Sequence, residues 1–120
     1  MVWQVLFDAE FLEEFGELDI AVQDEIAALT ELLAVTGPSL RRPFADTLKG
    51  SRHANMKELR VTASGGVWRL AYAFDPERKA ILLVGGNKSG VSQKRFYRGL
   101  IEKADRRFES HLGRLHKRNK

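Results

Sequence analysis

The sequence predicts an α+β domain in the order β-α-α-β-β-β-α, built on a small, mainly antiparallel sheet. Three observations predict it. Apolar residues recur at helical spacing in two consecutive N-terminal segments and again near the C-terminus. Between those regions, short runs rich in β-branched and aromatic residues follow one another across tight turns. The chain has 120 residues, of which 43% are apolar, enough for one domain with its own core.

Taken in order, Val2 to Phe7 is β-branched and aromatic-rich, which suits a first strand. Asp8 can cap a helix whose apolar positions are Phe11, Leu12, Phe15 and Leu18, with glutamates on the other face. A second helix follows Asp19, carried by Val22, Ile26, Leu29 and Leu33, and Gly37-Pro38 ends it. The two should pack antiparallel across a short turn. Residues 39–55 read as an irregular connection, because Pro43 and Gly50 break any regular run.

Met56 to Ala63 alternates, Ser64-Gly65-Gly66 makes a hairpin turn, and Val67 to Phe74 alternates again. After the turn Asp75-Pro76-Glu77-Arg78, the unbroken apolar run Ala80 to Gly85 suits a central strand covered on both faces. A last helix begins near Ser92, with a stripe of Tyr97, Ile101, Ala104, Phe108 and Leu112. Residues 1–113 form the single domain. Residues 114–120, with four basic residues in seven, read as a frayed tail.

Charge is divided unevenly. All nine acidic residues of 1–40 precede the first basic residue, Arg41. The remaining 80 positions carry 20 basic and seven acidic residues, so the parts sum to −9 and +13 and give the net +4. A concentrated positive field attracts polyanions, of which phosphate backbones are the commonest. Cysteine is absent, which excludes disulfides, thiolate metal sites and cysteine nucleophiles. The three histidines show no metal-ligand spacing, and no metal or other cofactor is expected. No apolar run approaches the roughly 18 to 20 residues of a membrane span, and Met1-Val2-Trp3-Gln4-Val5 lacks the features of a signal peptide. A cytoplasmic protein is expected.

Strand alternation sends Leu59 and Val61 one way and Glu58, Arg60 and Thr62 the other. On the next strand Trp68, Leu70 and Tyr72 part from Arg69, Ala71 and Ala73. Alternation alone leaves open which face is buried, but Arg60 and Arg69 can meet on paired strands with Glu58 beside them. Such a cluster is either a solvated salt bridge or an anion site containing an acid–base group. Lys88 lies in Gly85-Gly86-Asn87-Lys88-Ser89-Gly90, where glycines permit close backbone approach to an anion, or simply make a turn. The segment Ser92 to Arg98 places Lys94, Arg95 and Arg98 beside Phe96 and Tyr97. Cations hold phosphates and aromatic faces stack on unpaired bases, the combination used for single-stranded RNA. Tyr97 falls on the apolar stripe and is either a stacking residue or simply core; Phe96 lies off it and is the better stacking candidate. His53 lies in the loop just before the strand Met56 to Ala63 and is the histidine placed to approach the cluster.

Met56-Lys57-Glu58-Leu59-Arg60-Val61, Trp68-Arg69-Leu70-Ala71-Tyr72 and Leu83-Val84-Gly85-Gly86-Asn87-Lys88 follow two helices and Leu48-Lys49-Gly50. Together these segments resemble the RelE/HigB toxin superfamily. The ending Lys94-Arg95-Phe96-Tyr97-Arg98-Gly99-Leu100-Ile101, with Ala104-Asp105, is similar to its phage-derived HigB-like branch. The resemblance implies a RelE-like, microbial-ribonuclease-like sheet with helices on one side. It implies a toxin of a type II toxin–antitoxin pair that cleaves mRNA in the ribosomal A site without a metal, with rRNA contacts and a HigA-like helix-turn-helix antitoxin as partner. In that chemistry the ribose 2′-hydroxyl attacks the adjacent phosphate and the 5′-oxygen leaves, which needs a proton acceptor, cations for the phosphorane and a proton donor.

By the same resemblance, Arg69 stabilises the phosphorane, Arg60 is a basic position on the preceding strand, and Lys88 is the cation after the last strand. Tyr97 or Phe96 is the aromatic that orients the substrate. Lys57, Lys94, Arg95, Phe96 and Arg98 are candidate RNA contacts. Glu58 departs from RelE, which has a lysine there; it is either the general base or a brace for Arg60. The alternatives are a non-enzymatic ParE-like inhibitor of DNA gyrase and an inactive remnant that retains antitoxin binding. Glu58, Arg60, Arg69 and Lys88 together favour the nuclease.

Overall fold

The structure, a computed structural model, describes residues 2–119. It contains β1 (Val5–Phe7), α1 (Ala9–Gly16), α2 (Ile20–Thr36), β2 (Ala45–Thr47), β3 (Lys57–Ala63), β4 (Gly66–Phe74), β5 (Ala80–Asn87) and α3 (Gln93–Arg118), with a 3₁₀ turn at Gly37–Ser39. The five strands form one sheet in the order β1-β5-β4-β3-β2. Only β1 and β5 pair in parallel; the other three pairings are antiparallel.

Local chemistry sets most of the boundaries. The Asp8 carboxylate accepts a hydrogen bond from the Phe11 amide and opens α1, and the Ser92 hydroxyl does the same for the Arg95 amide at α3. α2 stops at Gly37, whose φ of 65° is in the left-handed region. A Cβ there would stand 2.3 Å from Nε1 of Trp3, so glycine is required twice over. The β3–β4 turn is two residues long: Ala63 pairs with Gly66, and Ser64 and Gly65 take φ of 51° and 71°. Positive φ at both positions is the turn geometry that matches strand twist.

Both faces of the sheet are covered. Phe11, Val22, Ile26 and Leu33 of α1 and α2 pack on Leu59, Val61, Leu70, Tyr72 and Leu82. On the opposite face Leu100, Ala104 and Phe108 of α3 pack on Met56, Ala71, Ala73, Ile81 and Leu83. The expected one-sided arrangement of helices is therefore corrected to three layers. The cause is the length and amphipathicity of α3, whose apolar stripe needs a sheet face of its own. A bulge pairs Ala71 with Val84 but Tyr72 with Leu82, skipping Leu83. That one-residue slip puts Gly86 opposite Arg69 on the α3 face.

Two further expectations change. Residues 39–55 are not wholly irregular, because β2 pairs with β3 at the sheet edge and the Arg60 amide donates to the Phe44 carbonyl. The C-terminal segment is helical as far as Arg118 rather than frayed from Arg114; Lys120 lies outside the described residues. Leu115 is buried and the Arg118 guanidinium donates to both Glu77 oxygens at 2.7 and 2.8 Å. Those anchors, with Asn119 also reaching Glu77, hold the last turns and keep the Glu77 carboxyl at about 2.

Buried polar side chains tie the layers at their edges. Arg107, 4% exposed, donates to both oxygens of Glu14 and to the Leu83 carbonyl, joining α3 to α1 past the sheet. Asp105 accepts from the Ser51 hydroxyl and the Arg52 amide, fixing the β2–β3 loop on α3. No helix among the described residues is long and apolar enough to cross a membrane.

Candidate active site

The hairpin register brings Arg60 and Arg69 directly opposite each other on β3 and β4. Like charges in that position repel. Glu58, one pair away on the same face, lies between them, with Oε2 3.7 Å from Arg60 Nε and Oε1 3.7 Å from Arg69 Nε. Small residues on this face, Ala71 opposite Glu58 and Gly86 opposite Arg69, let the first turns of α3 come down close. A Cβ on Gly86 would meet the Phe96 ring at 2.9 Å.

That approach delivers Tyr97. Its hydroxyl donates to Glu58 Oε1 at 2.7 Å and accepts from Arg69 Nε at 3.2 Å. Arg69 also donates through Nη1 to the Trp68 carbonyl, which fixes its plane. Glu58 and Arg69 are buried, at 5% and 8% exposure, while Arg60 is partly open. Burial pushes the Tyr97 phenol above its ordinary range, and the hydrogen bond to Glu58 pushes the same way against the opposing Arg69. The phenol therefore stays protonated and is available as a donor.

Glu58, Arg60 and Tyr97 form one wall of an open cavity of about 570 Å³. Gln93 and Lys94 of α3 close one side, and Arg42, Asp46, Thr47, Leu48 and Lys49 close the other. Asp46 is the register partner of Glu58. Its carboxyl is held below the usual range by Arg42, which donates through Nε at 2.9 Å, and by the Thr47 amide. The lining thus holds four cations against two carboxylates, an excess of two positive charges.

The sequence candidates divide accordingly. Glu58, Arg60, Lys94 and Tyr97 meet at the cavity, with Arg69 behind them. Lys88 does not line it. Its amide extends the ladder to the Val67 carbonyl, and alternation past Gly86 puts it on the Arg69 face, two positions further toward the hairpin tip. Lys57 is also outside the lining, alternating with Glu58 and so sharing the Leu59 face. Phe96 is half-buried over Gly86, with its ring 5.2 Å from Tyr97 and edge-on, rather than an open stacking face. Arg95 and Arg98 are exposed on the first turns of α3 outside the lining. His53 bonds Glu109 and packs edge-on against Phe108, away from the cluster.

Sequence reasoning missed Arg42, Asp46 and Lys49, all in the segment read as irregular. The available signal was positional. Arg41 and Arg42 end a 40-residue stretch without a cation, and Lys49 stands in the Leu48-Lys49-Gly50 segment. Among the described residues, no group of three or more histidine, aspartate or glutamate side chains is arranged to hold a metal ion.

Residues 13–109 match the model of the family described as phage derived protein Gp49-like. The chain is 43% identical over 99 residues to the putative toxin HigB2 of Mycobacterium tuberculosis, covering 82% of this chain and 49% of that protein. It is 44% identical over 97 residues to the putative toxin HigB3 of the same organism, covering 78% and 82% respectively. The chain thus spans about half the length of the first relative and most of the second. Among solved structures, a double arginine-to-alanine mutant of Escherichia coli toxin RelE in the free state superposes with a TM-score of 0.62 at 16% identity, covering 86% of this chain and 97% of that one. A chain of the archaeal RelE–RelB complex of Pyrococcus horikoshii gives 0.54 at 18% identity, covering 76% of this chain and 100% of that one. At those identities the two structures establish a shared fold.

Proposed function

Because this chain belongs to the Gp49-like family within the RelE/HigB toxin superfamily, we propose that it is the toxin of a type II toxin–antitoxin pair and acts as a metal-independent mRNA endoribonuclease on the ribosome. The observation that carries this reading is the Glu58–Tyr97–Arg69 hydrogen-bonded set, with Arg60 beside it, at the wall of a cation-rich cavity.

In the proposed reaction the ribose 2′-oxygen bonds to the adjacent phosphorus and the bond to the 5′-oxygen breaks, leaving a 2′,3′-cyclic phosphate. Glu58 takes the 2′-hydroxyl proton at Oε2, the oxygen not committed to Tyr97. Tyr97 and Arg69 hold the carboxylate in place, so Tyr97 orients the base. Arg60 at the cavity wall stabilises charge on the phosphorane, and Arg69, buried behind it with Nη2 uncommitted, adds its positive charge. The Lys94 ammonium, on the α3 side of the cavity, donates to the departing oxygen. Lys57, Lys88, Arg95, Phe96 and Arg98, outside the cavity, are assigned only contacts to RNA beyond the scissile step. A HigA-like helix-turn-helix antitoxin is the proposed partner.

The test is mapping of transcript 5′ ends after induction, wild type beside Arg69→Ala. New 5′ ends within translated messages are expected for wild type only, with Arg69→Ala also losing growth inhibition while still binding antitoxin. A toxic Arg69→Ala variant removes the phosphorane assignment. DNA-damage induction with intact transcripts transfers the protein to a gyrase-directed, non-enzymatic mode.

A further inference from the structure

The cavity is larger than the catalytic wall needs, and its second wall carries cations without a role in the chemistry. Glu58, Arg60 and Tyr97 lie at the α3 side, whereas Arg42 and Lys49 lie across the cavity beside β2. Cations on the α3 face follow the strand order: Lys88 after β5, Arg69 on β4, Arg60 on β3 and Arg42 leading into β2. Neighbouring strands are about 4.8 Å apart, so Arg69 and the β2 edge are separated by roughly 10 Å. A chain of phosphates crossing the strands meets a fresh cation at each.

Arg42 and Lys49 differ from the arginines of the catalytic wall in how freely they can engage a ligand. Arg42 is 71% exposed at its side chain, and among the described residues its one carboxylate partner is Asp46. An exposed pair of this kind is worth little in water, so an arriving phosphate displaces Asp46 at small cost. Lys49 has no carboxylate within 4.0 Å among the described residues. It precedes Gly50, whose backbone lies against Ile101, in a loop that Asp105 pins to α3. A cation held at a cavity wall without an anion is placed for one to come.

We propose that Arg42 and Lys49 form a second phosphate subsite, gripping the internucleotide phosphate adjacent to the scissile one, with single-stranded RNA running across the strands from β4 to β2. This rests on the ribonuclease reading, since it extends the same cavity to a second phosphate. Asp46 is the resident anion of the empty subsite, and substrate exchanges with it on Arg42.

The test compares two uncleavable probes, a 2′-O-methyl dinucleotide with one internucleotide phosphate and a 2′-O-methyl trinucleotide with two. Binding to the full chain is followed by chemical-shift titration at low salt. Wild type should bind the trinucleotide about tenfold more tightly than the dinucleotide, the scale of one charge-assisted phosphate grip. Arg42→Ala and Lys49→Ala should each shrink that ratio about threefold and leave the dinucleotide within about twofold of wild type. Arg69→Ala should weaken both probes alike. Equal wild-type affinity for the two probes, or a loss in Arg42→Ala and Lys49→Ala that is the same for both, overturns the second subsite while leaving the catalytic reading standing. Wild type that binds neither probe, or an Arg69→Ala variant that binds both unchanged, overturns the second subsite; the ribonuclease reading falls only if induction also yields no new transcript 5′ ends.

Discussion

Replacing Tyr97 by phenylalanine deletes one oxygen and tests the site at its centre. That oxygen donates to Glu58 at 2.7 Å and accepts from Arg69 at 3.2 Å, and both partners are buried. Two hydrogen bonds to charged groups are lost, but the half-buried edge at Tyr97 lets water replace part of them. The expected cost is about 1–3 kcal/mol of stability, a fall in melting temperature of roughly 3–12 °C for a chain of this size. A domain with about 5 kcal/mol or more in hand remains over roughly 95% folded after that loss. A structural role therefore predicts almost unchanged cleavage per folded molecule at 25 °C. The proposed role predicts more: Glu58 loses the partner that aims it, and cleavage falls by about 10²-fold or beyond. The assay is single-turnover cleavage of message on purified ribosomes, corrected for the folded fraction by circular dichroism. A variant within threefold of wild type refutes the orienting role, whatever its melting temperature. The alkaline limb supplies a second readout. A phenol whose ionisation is raised by folding contributes stability in full below about pH 10 and loses it as pH climbs through the raised value. Wild type should therefore lose its stability advantage over Tyr97→Phe at high pH.

Two other substitutions probe separate parts of the argument. Glu58→Gln keeps shape and can still accept from Tyr97, but removes the base; cleavage should fall about 10²–10⁴-fold on ribosomes with antitoxin binding retained, and a fall under tenfold makes Glu58 only a brace. Arg107→Met removes the α3–α1 tie and leaves the Leu83 carbonyl without its donor, costing about 1–3 kcal/mol by urea unfolding. Arg107 holds the Glu14 carboxyl below its ordinary 4.5 chiefly by a direct hydrogen bond. The difference between wild type and Arg107→Met should therefore be complete above about pH 4.5 and shrink as acid protonates Glu14, and a difference that grows on acidification contradicts the pairing.

What could be read from the chain was local. Asp8 and Ser92 announce two helices because each is followed by an apolar 3.6-residue rhythm. Arg60 and Arg69 could be placed near each other in advance because a short glycine-rich turn joins their strands, but their direct opposition depends on a turn of two residues rather than Ser64-Gly65-Gly66, with Gly66 already in β4. The illegible parts depend on partners distant in sequence. β2 is three residues long and is a strand only because β3 offers it an edge. In β5 the apolar run Ala80 to Val84 carries no alternation, so neither the skip at Leu83 nor the face of Gly86 could be seen. The same gaps hid half of the site. Arg42, Asp46 and Lys49 reach the cavity through β2 pairing and through Asp105, 54 residues from the Ser51 that it holds.

The position of Glu58 also bears on why brace and base are difficult to separate by inspection. Arg60 and Arg69 occupy directly opposed positions, an arrangement that costs folding energy without an anion between them. Glu58 supplies that anion in the free protein, and Tyr97 keeps one of its oxygens turned toward Arg69. In the proposed reaction an entering phosphate gives the arginines a second anion, and Glu58 is no longer required to neutralise them. Its Oε2 then faces a ribose hydroxyl made more acidic by the cations around it. Brace and base are thus the same carboxylate before and after substrate arrives. The two roles separate in experiment: loss of the brace lowers the melting point of the free protein, whereas loss of the base alters the pH dependence of cleavage. Glu58→Gln should do both, because the neutral amide leaves the opposed guanidiniums without their anion and cannot take a proton; the pH profile of cleavage per folded molecule is therefore the readout that separates base from brace.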